Sequence, residues 1–170
     1  SAYAPLGGPL ALTPVAADPR LDVRFVDAAL FAQKGLTPKV STYAATLPAL
    51  AGDQPILAVV IRLRRGDAEW KYAPTVVQIV QVLASVDGEK VQLIPVPDGR
   101  QHGNTQSFGC SWLIYKVRLN RAWSGAALKF AVHANLPADV EAVVESWVVR
   151  RWWDENHRPT ADGYNTYAPS

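Results

Sequence analysis

The chain has 170 residues, 49% of them hydrophobic and 19% charged, with 17 Lys and Arg against 15 Asp and Glu for a formal net charge of +2. That balance fits one globular domain with its own hydrophobic core and is too weakly basic to argue for a nucleic-acid binder. No apolar run reaches the roughly 18 residues of a membrane-spanning helix, and Cys110 is the single cysteine, which excludes an internal disulfide.

The chain contains no Met and opens Ser1-Ala2, which fits an N-terminus processed by initiator removal or signal cleavage. Residues 1–20 carry Pro5, Pro9, Pro14 and Pro19 with Gly7 and Gly8. Proline at this spacing fixes φ and removes backbone donors, so we expect an extended arm. Residues 154–170 form a polar tail with Pro159, Gly163 and Pro169. Neither end can bury enough apolar surface to fold alone. Each therefore lies across its own domain, 21–153, or packs on neighbouring copies, and the sequence leaves both open.

Within 21–153 the pattern is mostly β. Residues 22–27 alternate as a strand would, and 28–34 suit one short helical turn. Residues 56–65 read as a strand whose end sets Ile61 and Leu63 against Arg62 and Arg64. Residues 75–85 are rich in Val and Ile, and Val86-Asp87-Gly88-Glu89 is a hairpin turn of the Asp-Gly type. A short strand over 90–96 is stopped by Pro95 and Pro97, and a polar loop follows over 99–109. Residues 111–120 alternate, with Leu113, Tyr115, Val117 and Leu119 on one face and Trp112, Ile114, Lys116 and Arg118 on the other. Residues 126–134 form another strand. Residues 139–153 suit either a helix or a strand, and their valines and tryptophans favour the strand. Short strands separated by turn signals predict a single antiparallel β-sandwich, of jelly-roll or immunoglobulin-like type, with extended N- and C-terminal arms.

Few residues suggest chemistry. Cys110 follows a loop with Gln101, His102, Asn104 and Gln106, and His133 is followed by Asn135. Cys, His and an amide are the ingredients of a thiol hydrolase. The run Gln106-Ser-Phe-Gly-Cys110-Ser-Trp112 resembles the papain-type nucleophile segment, but departs in its Gln spacing and leads into a strand where that family needs a helix. We expect a structural Cys110. His102, His133 and His157 lack metal-ligand spacing, Asp139, Glu141 and Glu145 are spaced as a solvated face, and no motif calls for a cofactor.

The densest feature is aromatic. Three of six tryptophans, Trp147, Trp152 and Trp153, fall in one run with Arg150 and Arg151. With Tyr164 they are candidates to contact a partner subunit or a glycan. Trp153-Asp-Glu-Asn156 with Tyr164-Asn165 resembles the Trp-Asp-Asn-Asn ending of the family 21 starch-binding modules, which implies α-glucan at a sandwich edge. Here Glu155 replaces an Asn, the final Asn-Tyr order is reversed, and the match is short. If their strands are neighbours, Arg62, Arg64, Lys116 and Arg118 form a basic stripe, read first as a solvated outer face. The expectation is a non-enzymatic structural subunit of a shell, coat, fibre or envelope assembly, in a secreted, periplasmic or virion setting. It would associate with itself or with other subunits, without cofactor or metal. A carbohydrate-binding module is the alternative, and a Cys-His thiol hydrolase a distant one.

Overall fold

Three of the four ten-residue strands form where β-branched residues are dense. The computed structural model describes residues 4–5, 7–52, 54–71, 79–95 and 112–150. Strands β4 (Ile56–Arg65), β9 (Trp112–Arg118) and β11 (Glu141–Arg150) are the body of a first antiparallel sheet. Its other members are β1 (Ala4–Pro5) beside β11, β8 (Ile94–Pro95) beside β9, and β5 (Ala68–Glu69) at the end of β4. The second sheet runs in the order β2 (Thr13–Val15), β3 (Thr37–Thr46), β10 (Ala127–Leu136), β6 (Val80–Val86) and β7 (Glu89–Gln92). The two pack face to face as a β-sandwich.

Alternation sorts each strand between core and outside. Leu57, Val59, Ile61 and Leu63 of β4 share the core with Leu113 and Tyr115 of β9 and Val148 of β11. From the second sheet come Leu128, Phe130, Val132 and Ala134 of β10, and Val80, Val82, Ala84 and Val86 of β6. The Tyr115 hydroxyl crosses between the layers and donates to the Val80 carbonyl at 2.7 Å. The alternating face predicted for residues 111–120 is thus the core face.

Of residues 139–153, Glu141–Arg150 settle as strand, after a turn that holds Asp139. Glu141 to Val149 pair antiparallel with Arg64 to Ile56 along nine positions. The hairpin predicted at Asp87-Gly88 is present, joining β6 to β7, with φ of 48° and 82° at the two residues. Both angles are positive, as a tight hairpin requires, and glycine adopts them without strain.

Three readings change. Residues 22–27 form no strand. An alternating run becomes a strand only beside a free sheet edge, and here Phe25 packs edge-on against Phe31 instead, with ring centroids 5.8 Å apart. Phe31 is the buried anchor of helix α1 (Ala28–Gln33), the short helix expected there. The run 90–96 is broken at buried Leu93, where the chain passes from the second sheet (β7) to the first (β8). Strands that switch layers make such corners. Strand β3 has no clean apolar pattern and was not expected, yet it pairs with β10 along all ten residues.

The proline-rich start lies on its own sandwich where it is described. Ala4 and Pro5 pair with Arg150 and Val149, the Leu10 amide donates to the Ser146 carbonyl at 2.8 Å, and Thr13 to Val15 pair with Ala44 to Thr42. The segment thus edges both sheets. It then crosses the outer face of the second sheet as a strap that carries a 3-10 turn, Pro19–Leu21.

Candidate functional site

The contact and basic-stripe candidates that are described all belong to the first sheet. Antiparallel partners project to the same face, so the registers of β8, β9, β4 and β11 arrange that sheet's outer side in rows. One row is Ile94, Lys116, Ala58 and Trp147. Beside it are Arg118, Ile56 and Val149 on one side, and Ile114, Val60 and Glu145 on the other. Further along come Arg62 with Val143, then Arg64 with Glu141 and Glu69.

The centre of this face is apolar and covered. Ala58, Val60, Ile114 and Val149 are fully buried within the single chain, and Trp147 is 5% exposed. That is why β4 reads Ile-Leu-Ala-Val-Val-Ile without polar interruption: both its faces are buried. The Trp147 Nε1–H donates to Glu145 Oε2 at 3.3 Å, and the other oxygen of that carboxylate stands 4.0 Å from the Arg62 guanidinium. Glu145 therefore fixes an indole and offsets a cation together. Trp147 is packed inside the chain rather than offered to solvent. Trp152, Trp153 and Tyr164 lie outside the described residues.

The four cations expected as a stripe do share one face of two neighbouring strands, but they stand at opposite ends of it. Arg62 and Arg64 lie among acids: Glu145 beside Arg62, Glu141 and Glu69 in register with Arg64. Arg65, next in the chain, pairs with Asp139 at 2.8 Å. Lys116 and Arg118 lie at the far end with Ile94 and Ile56. There they line a cavity of about 290 Å³ together with Gln92 and Val117. Burial, and then the charge of Arg118, hold the Lys116 ammonium below the ordinary lysine pKa.

A second constellation lies under the strap. Asp18 caps the 3-10 turn by accepting from the Arg20 amide at 2.9 Å, with Pro19 in the first position of the turn. Its other carboxylate oxygen meets Lys129 Nζ at 3.3 Å. Capping by the Arg20 amide, helped by Lys129, lowers the Asp18 pKa. The Arg20 guanidinium donates to the Gly88 carbonyl at 2.8 Å. His133, 5% exposed, places Nε2 at 2.7 Å from the Leu21 carbonyl. A carbonyl only accepts, so the ring nitrogen donates and Nε2 carries a proton. Between strap and sheet opens a groove of about 580 Å³ over Ala44, Ala127 and Ser85, edged by Asp18, Arg20 and Lys129. Its charged groups are engaged with one another or with backbone.

These strap residues were not candidates in the sequence. The signal that could have found them is Asp18-Pro19, a capping acid before proline, which marks a tight turn amid the expected extended arm. His133 and Asn135, considered beside Cys110 for hydrolysis, are both buried and tied to backbone: His133 to Leu21, and Asn135 Nδ2 to the Ile79 carbonyl at 3.4 Å. Cys110, His102 and His157 lie outside the described residues. Among the described residues no group of three His, Cys, Asp or Glu is placed to hold a metal ion, and no helix is long and apolar enough to cross a membrane. No protein-family model, curated protein or solved structure matches this chain.

Proposed function

We propose that this protein is a non-enzymatic assembly subunit, joining copies of itself or other subunits in a shell, coat, fibre or envelope complex. What supports the reading is the way the N-terminal segment is held. It pairs through two residues with β11 and through three with β3, both at sheet edges. Leu10 and Leu12 pack half-buried against the core between those points. A segment that donates short strands to acceptor edges makes the same bonds whether the edges belong to its own sandwich or to a neighbouring copy. Among the described residues few pairs hold it, so exchange requires little of that pairing to be broken.

The test is mass in solution by light scattering over a wide concentration range. The full chain is expected to associate as concentration rises. A chain lacking residues 1–15, which keeps the strap, is expected to associate more weakly while retaining its β-rich circular dichroism. A full-length protein that stays monomeric at high concentration refutes the proposal.

A further inference from the structure

We infer that the groove under the strap is a binding site for an acidic sugar, a saccharide ring that carries a carboxylate, sulfate or phosphate. The inference goes beyond the assembly reading and does not depend on it. Strand register lays out the floor. Thr13, Ala44, Lys129 and Ser85 are successive antiparallel partners on β2, β3, β10 and β6, so they project to one face. Thr46 and Ala127, partners of one another, make the next row, where the Ala127 amide donates to Asp87 of the hairpin. Asp18 and Arg20 of the strap supply a wall, and the groove so formed holds about 580 Å³.

Two cations are fixed at its edge. Asp18 holds the Lys129 ammonium at 3.3 Å, and the Gly88 carbonyl holds the Arg20 guanidinium at 2.8 Å. Each contact uses one donor, and donors remain on both groups. Asp18 has both oxygens engaged, one by Lys129 and the other by the Arg20 amide. Among the described residues lining the groove, two cations against this one carboxylate leave a net positive charge. A long basic side chain loses rotamer freedom when it binds an anion, and these two are already restrained. A guanidinium fork beside an ammonium suits a carboxylate, sulfate or phosphate.

Ser85 separates this floor from an ordinary charged surface. It is 9% exposed, it lines the groove, and its hydroxyl has no hydrogen-bond partner among the described residues. A polar group buried to that degree ordinarily has one, and a ligand hydroxyl in the groove would supply it. Thr13 and Thr46 bring two further hydroxyls to the same space. No aromatic ring lines it among the described residues, and Leu128, the one large aliphatic residue there, is 1% exposed. Nothing in that lining favours a stacked base or a hydrocarbon body. Alanine methyls set between hydroxyls match instead the mixed C–H and O–H surface of a sugar ring. The volume corresponds to on the order of 20 water molecules and falls within the usual range of ligand pockets, with room for a ring and its neighbour in a chain.

The experiment uses the full chain with alanine methyls labelled for NMR, titrated in a chloride buffer. The probes are glucuronate and glucose bearing a sulfate or a phosphate on its primary hydroxyl. Glucose, glucosamine, inorganic sulfate and inorganic phosphate are the controls. At least one acidic sugar is expected to shift the Ala44 and Ala127 methyls saturably, and whichever binds most tightly identifies the acidic group. Glucose and glucosamine should bind about tenfold more weakly for want of the anion, and the bare ions about fivefold more weakly for want of the hydroxyls. Arg20→Gln and Lys129→Gln should each weaken binding about tenfold, as loss of a charge-assisted bond does. Ser85→Ala breaks no hydrogen bond of the fold. It should weaken the acidic sugars about fivefold and leave the bare ions unchanged. Absence of saturable shifts with all three acidic sugars overturns the inference, and so does glucose or glucosamine binding as well as they do. Bare ions that bind as tightly as the sugars would reduce the groove to an ion site and overturn it too. Unchanged affinity in either Lys129→Gln or Ser85→Ala would place the binding elsewhere and overturn it equally.

Discussion

Single side chains decide which parts of this surface are available. Trp147 shows the difference between aromatic content and aromatic exposure: it is 5% exposed beside its register partner Ala58, and its N–H is held by Glu145. Trp147→Ala should destabilise the protein by about 3–5 kcal/mol in urea unfolding, because it leaves a cavity the sheet cannot close. Trp147→Phe keeps most of the apolar burial, loses the hydrogen bond, and should cost markedly less. His133 is the matching case on the other sheet. His133→Ala leaves the Leu21 carbonyl without its donor and should cost about 1–3 kcal/mol, with faster amide exchange through residues 16–22. Little of this was legible in the sequence. Alternation placed Arg62, Arg64, Lys116 and Arg118 on one face, but which cations meet acids depends on pairing register. A one-residue slip reverses the face, and a two-residue slip changes every partner.

Among elements, legibility followed the number of neighbours. β4, paired on both sides, carries the Val- and Ile-rich run that announces a strand, and β9, flanked by short β8, alternates cleanly, whereas the Val-rich run of β11 suited helix or strand until its pairing with β4 decided it. The Asp87-Gly88 turn was equally legible because its positive φ angles demand such residues. Gly88 has φ of 82°, so Gly88→Ala should destabilise the hairpin by about 1–2 kcal/mol, the cost of a side chain in the left-handed region. β3 was missed because β2 covers only part of its outer edge and Pro38 interrupts it, as edge strands tolerate. The strap was missed because its anchor is one residue, Leu21, with 1% exposure and no periodicity around it. Leu21→Ala should cost about 2–5 kcal/mol. It should also loosen residues 13–22 in hydrogen exchange before the remaining sheet opens. Uniform loosening would mean that the strap is an integral part of the sandwich.

At the scale of the molecule, two ionisable groups among the described residues tie stability to pH, Asp18 on the strap and Lys116 on the first sheet. Asp18 has a folded pKa below its unfolded value, set first by the Arg20 amide and aided by Lys129. Its contribution is fully present above the unfolded pKa and is lost as pH falls through the folded one. Lys116 is also lowered, by burial and by Arg118, but it is a base, so its charged form below the folded pKa is a cost rather than a contribution. While it is charged, the folded state bears the cost of burying that charge. As pH rises from the folded pKa toward the ordinary lysine value, the unfolded chain binds more protons and stability increases. Denaturant unfolding across acid, neutral and alkaline pH, in buffers free of organic anions, should separate the two. Asp18→Asn should flatten the acid limb and leave the alkaline limb unchanged. Lys116→Gln should be at least as stable as the parent at neutral pH, and its alkaline rise should disappear. A Lys116→Gln protein clearly less stable at neutral pH would mean that the ammonium is already well compensated inside the fold. In that case the first sheet would hold Lys116 for its own stability.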